Sequence, residues 1–114
     1  MKKICIIGVD GQDGSYLAEH FLRNKFLVTG IGRRLVKPKA IDRPLFKYKS
    51  VDLSHATDLR EVLRDIDADT IIYCASSHGP NGFDYFKVAD DTFLVNSYAP
   101  HVCLNYCRET DGKC

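Results

Sequence analysis

Three glycines at three-residue spacing, Gly8, Gly11 and Gly14, stand between an apolar run and a segment of helical periodicity. Positions without side chains at that spacing suit a tight turn, a close approach of backbone to a phosphate, and close packing of a helix on a strand. The N-terminus of the following helix would add amide donors and a partial positive charge. The segment Gly8-Val9-Asp10-Gly11-Gln12-Asp13-Gly14 is therefore a candidate pyrophosphate cradle, with Gly8, Gly11, Gln12, Asp13 and Gly14 as its binding residues. The alternative is that the glycines only shape a turn.

About twenty residues beyond such glycines, a dinucleotide site places the residue that reads the adenosine ribose: an acid for a 2′-hydroxyl, a cation for a 2′-phosphate. Arg33 and Arg34 occupy that stretch. A guanidinium grips a phosphate through two charge-assisted hydrogen bonds, so the pair predicts NADP rather than NAD. Arg33, Arg34, Lys37, Lys39 and Arg43 also fall within eleven residues whose one acid is Asp42. That loop either holds a phosphate or is simply a solvated basic surface.

Asn96 and Pro100 form a further pair. A proline inside a helix removes the bond to the carbonyl four residues back, which is that of Asn96. The pair marks either a functional distortion or a tolerated kink. Five cysteines, at 5, 74, 103, 107 and 114, include no C-x-x-C pair, so neither a disulfide framework nor a zinc knuckle is indicated. Cys103 and Cys107 lie one helical turn apart with no His or acid beside them on that face, which favours a structural role over a metal.

These residues need a frame. Lys3 to Val9 reads as a central buried strand, Ser15 to about Asn24 as a helix with Leu17, Ala18, Phe21 and Leu22 inward, and Phe26 to Ile31 as a second strand. Residues 35–45 read as a loop, Lys47 to Val51 as a third strand, and Ser54 as the cap of a helix bearing Leu59, Val62, Leu63 and Ile66. Thr70 to Ala75 gives a fourth strand, residues 76–84 a polar loop, and a long helix through Val95, Tyr98, Val102 and Tyr106 ends at Asp111-Gly112. Strands alternating with helices predict an α/β fold, a Rossmann-type parallel sheet with helices on both faces and strand order 3-2-1-4. In this frame Asp52 follows the third strand, and Ala75 and Ser76 end the fourth, at the carboxyl edge where such sheets bind ligands.

At 114 residues the chain suits one small domain, and 45% hydrophobic with 27% charged residues is the composition of an ordinary globular protein. A net charge of +1 with interspersed signs argues against nucleic acid or an acidic membrane as partner. The short apolar run after Met1-Lys2-Lys3 is neither a membrane span nor a secretory signal, and the expectation is a cytoplasmic protein.

Gly-x-x-Gly-x-x-Gly resembles the short-chain dehydrogenase/reductase superfamily. Within its extended branch, the NAD-dependent epimerases and dehydratases, the string Gly11-Gln12-Asp13-Gly14-Ser15-Tyr16-Leu17-Ala18-Glu19 is similar to that of the GDP-mannose 4,6-dehydratases. The resemblance continues in order through Gly30-Ile31-Gly32-Arg33-Arg34, Asp52-Leu53, Ser77-His78 and Val95-Asn96. It implies that Asp52 bonds the adenine amino group while Leu53 packs on the ring, although Asp52 could equally cap the next helix. It further implies that Ala75 and Ser76 lie beside the nicotinamide ribose, that His78 lies near the substrate cleft, and that Asn96 holds a water of a proton relay. Asp10 departs from the family, which carries a small or hydroxyl residue there. A carboxylate in a phosphate-binding turn repels its ligand unless it points outward.

The superfamily's catalysis uses a Tyr, a Lys four residues later, and a Ser or Thr. None of the tyrosines at 16, 48, 73, 85, 98 and 106 has that Lys. The expectation is thus residues 1–114 as the N-terminal part of an NAD(P)-binding Rossmann domain, cut after the fourth strand-helix unit as Lys113-Cys114 begins a fifth strand. The catalytic region and the substrate domain would be absent, and the chain alone should not turn over. The parent would take a nucleotide sugar, a GDP-hexose, oxidise it at C4 with NADP and eliminate water. Alternatives are an epimerase or keto-sugar reductase of the same branch, or a non-catalytic dinucleotide-binding module that reports redox state or docks on a partner. The fourth strand or the last helix would be the surface for a homo-oligomer.

Overall fold

The computed structural model describes residues 2–33, 43–53, 59–75 and 94–110. Arg34, Ser54, Ser76, Ser77, His78, most of the basic loop and the expected stop at Asp111-Gly112 lie outside the described residues. Four strands, β1 (Lys3–Ile7), β2 (Leu27–Gly32), β3 (Phe46–Ser50) and β4 (Thr70–Tyr73), form one sheet. Its order is β3-β2-β1-β4, and every pairing is parallel, as the alternation of elements predicts.

Along β1 the side chains alternate between faces, and each face buries its own cluster. Ile4 and Ile6 pack with Val28, Phe46 and the Ala18 and Leu22 side chains of α1 (Gln12–Arg23). Cys5 and Ile7 pack on the other face with Ile31, with Leu59 and Leu63 of α2 (Leu59–Ile66), and with Ala99, Cys103 and Tyr106 of α3 (Ala99–Glu109). An ion pair between Arg60 and Glu109 links α2 to α3. In β4 every residue is only half-buried, because the strand pairs with β1 alone among the described residues.

β2 and β3 are each shifted by one residue from the sequence reading and β4 ends at Tyr73 rather than Ala75, and three further differences bear on the site. β1 ends at Ile7 rather than Val9, because Gly8 turns the chain at φ 91°, in the left-handed region. α1 begins at Gln12 rather than Ser15, with extended Gly11 as its N-cap, so a polar first turn hid the helix start from a reading based on apolar periodicity. The long C-terminal helix opens as a π-helical turn over Leu94–Tyr98 before α3 begins. Cys5, Cys74 and Cys103 are free thiols. Among the described residues no helix is long and apolar enough to cross a membrane.

Candidate functional site

The turn after β1 is stitched to the neighbouring strands. The amides of Gly8 and Val9 both donate to the Ile31 carbonyl of β2, at 2.8 and 3.2 Å, and the Cys74 amide beyond β4 donates to Ile7 at 2.7 Å. Gly8 therefore sits against the exit of β4, where a Cβ at residue 8 would lie 2.5 Å from the Ala75 amide nitrogen. Gly14, buried in the first turn of α1, is equally constrained: a Cβ there would lie 2.2 Å from the Gly8 carbonyl oxygen.

Gly11 is different. A Cβ at residue 11 would meet only the Gly8 carbonyl oxygen, at 3.4 Å, and the residue is exposed with an ordinary backbone conformation. No side chain caps α1 at this N-cap. The first helical amides, which have no intrahelical acceptor, thus begin beside an exposed glycine. Packing requires two of the three glycines, and the third keeps the helix end approachable. That is the surface a pyrophosphate needs, and the cradle residues fit the ligand. Gln12 and Asp13 are exposed in this first turn.

The two side chains inside the turn both lie over β2. Val9, fully buried, occupies the space over Gly30, where a Cβ would come within 2.5 Å of its Cγ1. Asp10 turns over Gly32, the last residue of β2, where a Cβ would come within 2.0 Å of Oδ2. The Tyr48 hydroxyl of β3 donates to the same Oδ2 at 2.9 Å. Sequence reasoning singled out Asp10 but missed Gly30, Gly32 and Tyr48 as the residues that receive the turn. Two glycines at alternate positions of a strand, hence on one face, were the available signal.

Arg33 directly follows β2 and is exposed. Asp52 is exposed just past β3, while Leu53 is buried at 5% exposure within the cluster beneath α2 and α3, a placement that core packing explains. Ala75, half-buried, meets the first glycine as described. Gly8, Gly11, Gly14, Arg33, Asp52 and Ala75 all follow the carboxyl ends of strands, so one edge of the sheet gathers them.

Asn96 lies within the π turn and is exposed. Val95 precedes Asn96 in the π turn, and Pro100 follows in the first turn of α3. The Tyr73 hydroxyl of β4 donates to that Val95 carbonyl. The helix distortion lies over Leu94–Tyr98, just before Pro100. Burial raises the pKa of Tyr73, with a smaller contribution from Cys103, so its phenol stays protonated as the donor requires.

Among the described residues the free cysteines are held as thiols. Burial pushes Cys5 up to about 12, with Cys103 adding to the effect. Burial likewise pushes Cys103 up to about 11, partly opposed by a backbone hydrogen bond. Cys74 is raised by burial first and then by the Asp13 carboxylate. Among the described residues no cluster of His, Cys, Asp or Glu is arranged to hold a metal.

A parallel sheet of this order, with a glycine turn at the carboxyl end of its first strand, defines a Rossmann-type α/β fold. The model of the NAD dependent epimerase/dehydratase family matches residues 4–113, and the chain belongs to that family. It is 33% identical over 95 residues to GDP-mannose 4,6-dehydratase of Vibrio cholerae, an alignment covering 73% of this chain and 26% of that protein. It is 34% identical over 97 residues to GDP-mannose 4,6 dehydratase 1 of Arabidopsis thaliana, covering 73% and 27% respectively. The chain thus spans about a quarter of the length of these curated relatives. Its fold is similar to that of the Bordetella bronchiseptica enzyme WbmH in complex with NAD+, with a TM-score of 0.78, 21% identity, and coverage of 97% of this chain and 36% of that one.

Proposed function

We propose that this chain is the nicotinamide-dinucleotide-binding part of a nucleotide-sugar dehydratase or epimerase-type oxidoreductase. The observation that carries the reading is Gly11, which neither backbone conformation nor packing requires and which stands exposed at the uncapped start of α1. The pyrophosphate lies over Gly8, Gly11, Gln12, Asp13 and Gly14, with the adenosine toward β2 and β3 and the nicotinamide toward β4. Bound there, the dinucleotide supplies hydride transfer, and the chain's residues bind and orient it. Asp52 takes the adenine amino group with Leu53 beside the ring, and Ala75 and Ser76 border the nicotinamide ribose.

Arg33, at the end of β2, and Arg34 after it favour NADP over NAD, because a guanidinium pairs with a 2′-phosphate and gains less from a hydroxyl. Asn96, in the π turn, holds a water of a proton relay in the parent enzyme, a role supported by the local break in the α-helical ladder. The parent takes a GDP-hexose. The Tyr and Lys of its catalytic motif and its sugar-nucleotide domain belong to sequence beyond these residues, and the enzyme works in the cytoplasm. Self-association runs through the half-buried β4 edge or through α3, where Leu104 is 65% exposed.

Calorimetric titration of the 114-residue chain tests the reading. Saturable NADP+ binding that exceeds NAD+ binding is the expected result. Equal affinity for the two would remove the NADP assignment, and no binding of either would remove the reading altogether.

A further inference from the structure

We infer that Asp10 is a specificity-determining residue that restrains the site's preference for a 2′-phosphorylated dinucleotide. The inference rests on the dinucleotide-binding reading above and concerns the group at the adenosine 2′ position. In sites of this architecture that group is read at the end of the second strand. Here β2 ends at Gly32, which has no side chain, and the space its side chain would take is filled by the Asp10 carboxylate from the neighbouring turn. The acid that an NAD site carries on the strand itself is delivered instead from the loop after β1.

Two features hold the carboxylate there. The Tyr48 hydroxyl donates to Oδ2 at 2.9 Å, and any side chain at residue 32 would displace the group. Asp10 is half-buried, so its charge is less screened than that of a surface acid. Oδ1 is buried and Oδ2 takes the Tyr48 bond, so the carboxylate acts through its charge, which opposes an anionic 2′-phosphate and leaves a neutral 2′-hydroxyl little affected. Arg33, immediately after Gly32, acts in the opposite sense. The two side chains set the balance between the dinucleotides: Arg33 attracts the extra phosphate, and Asp10 limits that advantage.

The experiment is a pair of calorimetric titrations, NADP+ and NAD+, on the 114-residue chain and on its Asp10→Asn and Asp10→Ser variants. Circular dichroism establishes that each variant folds. Asn keeps the shape and an acceptor for Tyr48 while removing the charge, and Ser serves should the Asn variant misfold. The expected result is a rise in the NADP+ to NAD+ affinity ratio of about tenfold, toward the well-screened end of the range for a removed like-charge contact. Binding of both dinucleotides with an unchanged ratio overturns the role of Asp10 alone. Failure of the parent chain and the variants to bind either dinucleotide overturns the binding reading, and the role of Asp10 with it.

Discussion

Asp10 and Tyr48, 38 positions apart in sequence, share a hydrogen bond of 2.9 Å above Gly32. The bond ties the turn after β1 to the third strand across the whole width of the second. The carboxylate thereby faces the β2 and β3 side of the turn, which accounts for an acid within the glycine turn.

The three glycines should separate when substituted. Gly14→Ala places a Cβ 2.2 Å from the Gly8 carbonyl oxygen, and Gly8→Ala combines a 2.5 Å clash with a left-handed backbone. Each should cost about 2 kcal/mol or more in urea unfolding. Gly11→Ala should cost under about 1 kcal/mol, since a Cβ there meets nothing closer than 3.4 Å, yet should weaken dinucleotide binding in the same titration. Equal destabilisation by all three would contradict the division of roles.

Arg33→Ala should lower NADP+ affinity about tenfold or more, the value of a charge-assisted contact, and change NAD+ affinity little. Parallel loss of both would make Arg33 a general electrostatic contributor rather than a reader of the 2′ position.

Tyr73→Phe removes the donor to the Val95 carbonyl in the π turn. The expected loss is about 1–2 kcal/mol of unfolding free energy, the cost of leaving a partly buried acceptor unmet. Amide exchange should quicken in residues 94–98 before it quickens in β1. Wild-type stability in this variant would mean that water replaces the hydroxyl.

Alkaline pH should destabilise the fold through its thiols. Cys5 is raised from 9.0 to about 12 and Cys103 from 9.0 to about 11, each chiefly by burial, so the folded state holds these protons more tightly than the unfolded chain. Their contribution is fully present below pH 9.0 and is lost as pH climbs through 11 and 12. Cys5→Ala should lower stability at neutral pH and flatten the alkaline decline. An undiminished slope in that variant, measured by urea unfolding at several pH values, would assign the decline to other groups.

Much of the fold was legible because β1 is a continuous apolar run and α1 and α2 keep helical periodicity, so four strands, their order and both clusters follow from pattern alone. The helix starts were less legible. Gln12-Asp13-Gly14 carries no apolar signal, and the π turn replaces a four-residue register with a five-residue one that composition does not encode. The glycine turn between strand and helix was readable, but the division among Gly8, Gly11 and Gly14 depends on which backbone each one faces. The partnership of Asp10 with Tyr48 was invisible for the same reason. It requires knowing that β3 lies beside β2 in a register that pairs Gly30 with Tyr48, and no local pattern specifies that.

Val9 over Gly30 and Asp10 over Gly32 mean that the loop carries two pegs whose sockets belong to another strand. Residues 8–14 are consequently not a portable cassette. Grafted into a sheet whose second strand bears side chains at the two receiving positions, the loop would have to lift away from the sheet, whereas a transplant that moves the Gly30-Ile31-Gly32 tripeptide with it should seat.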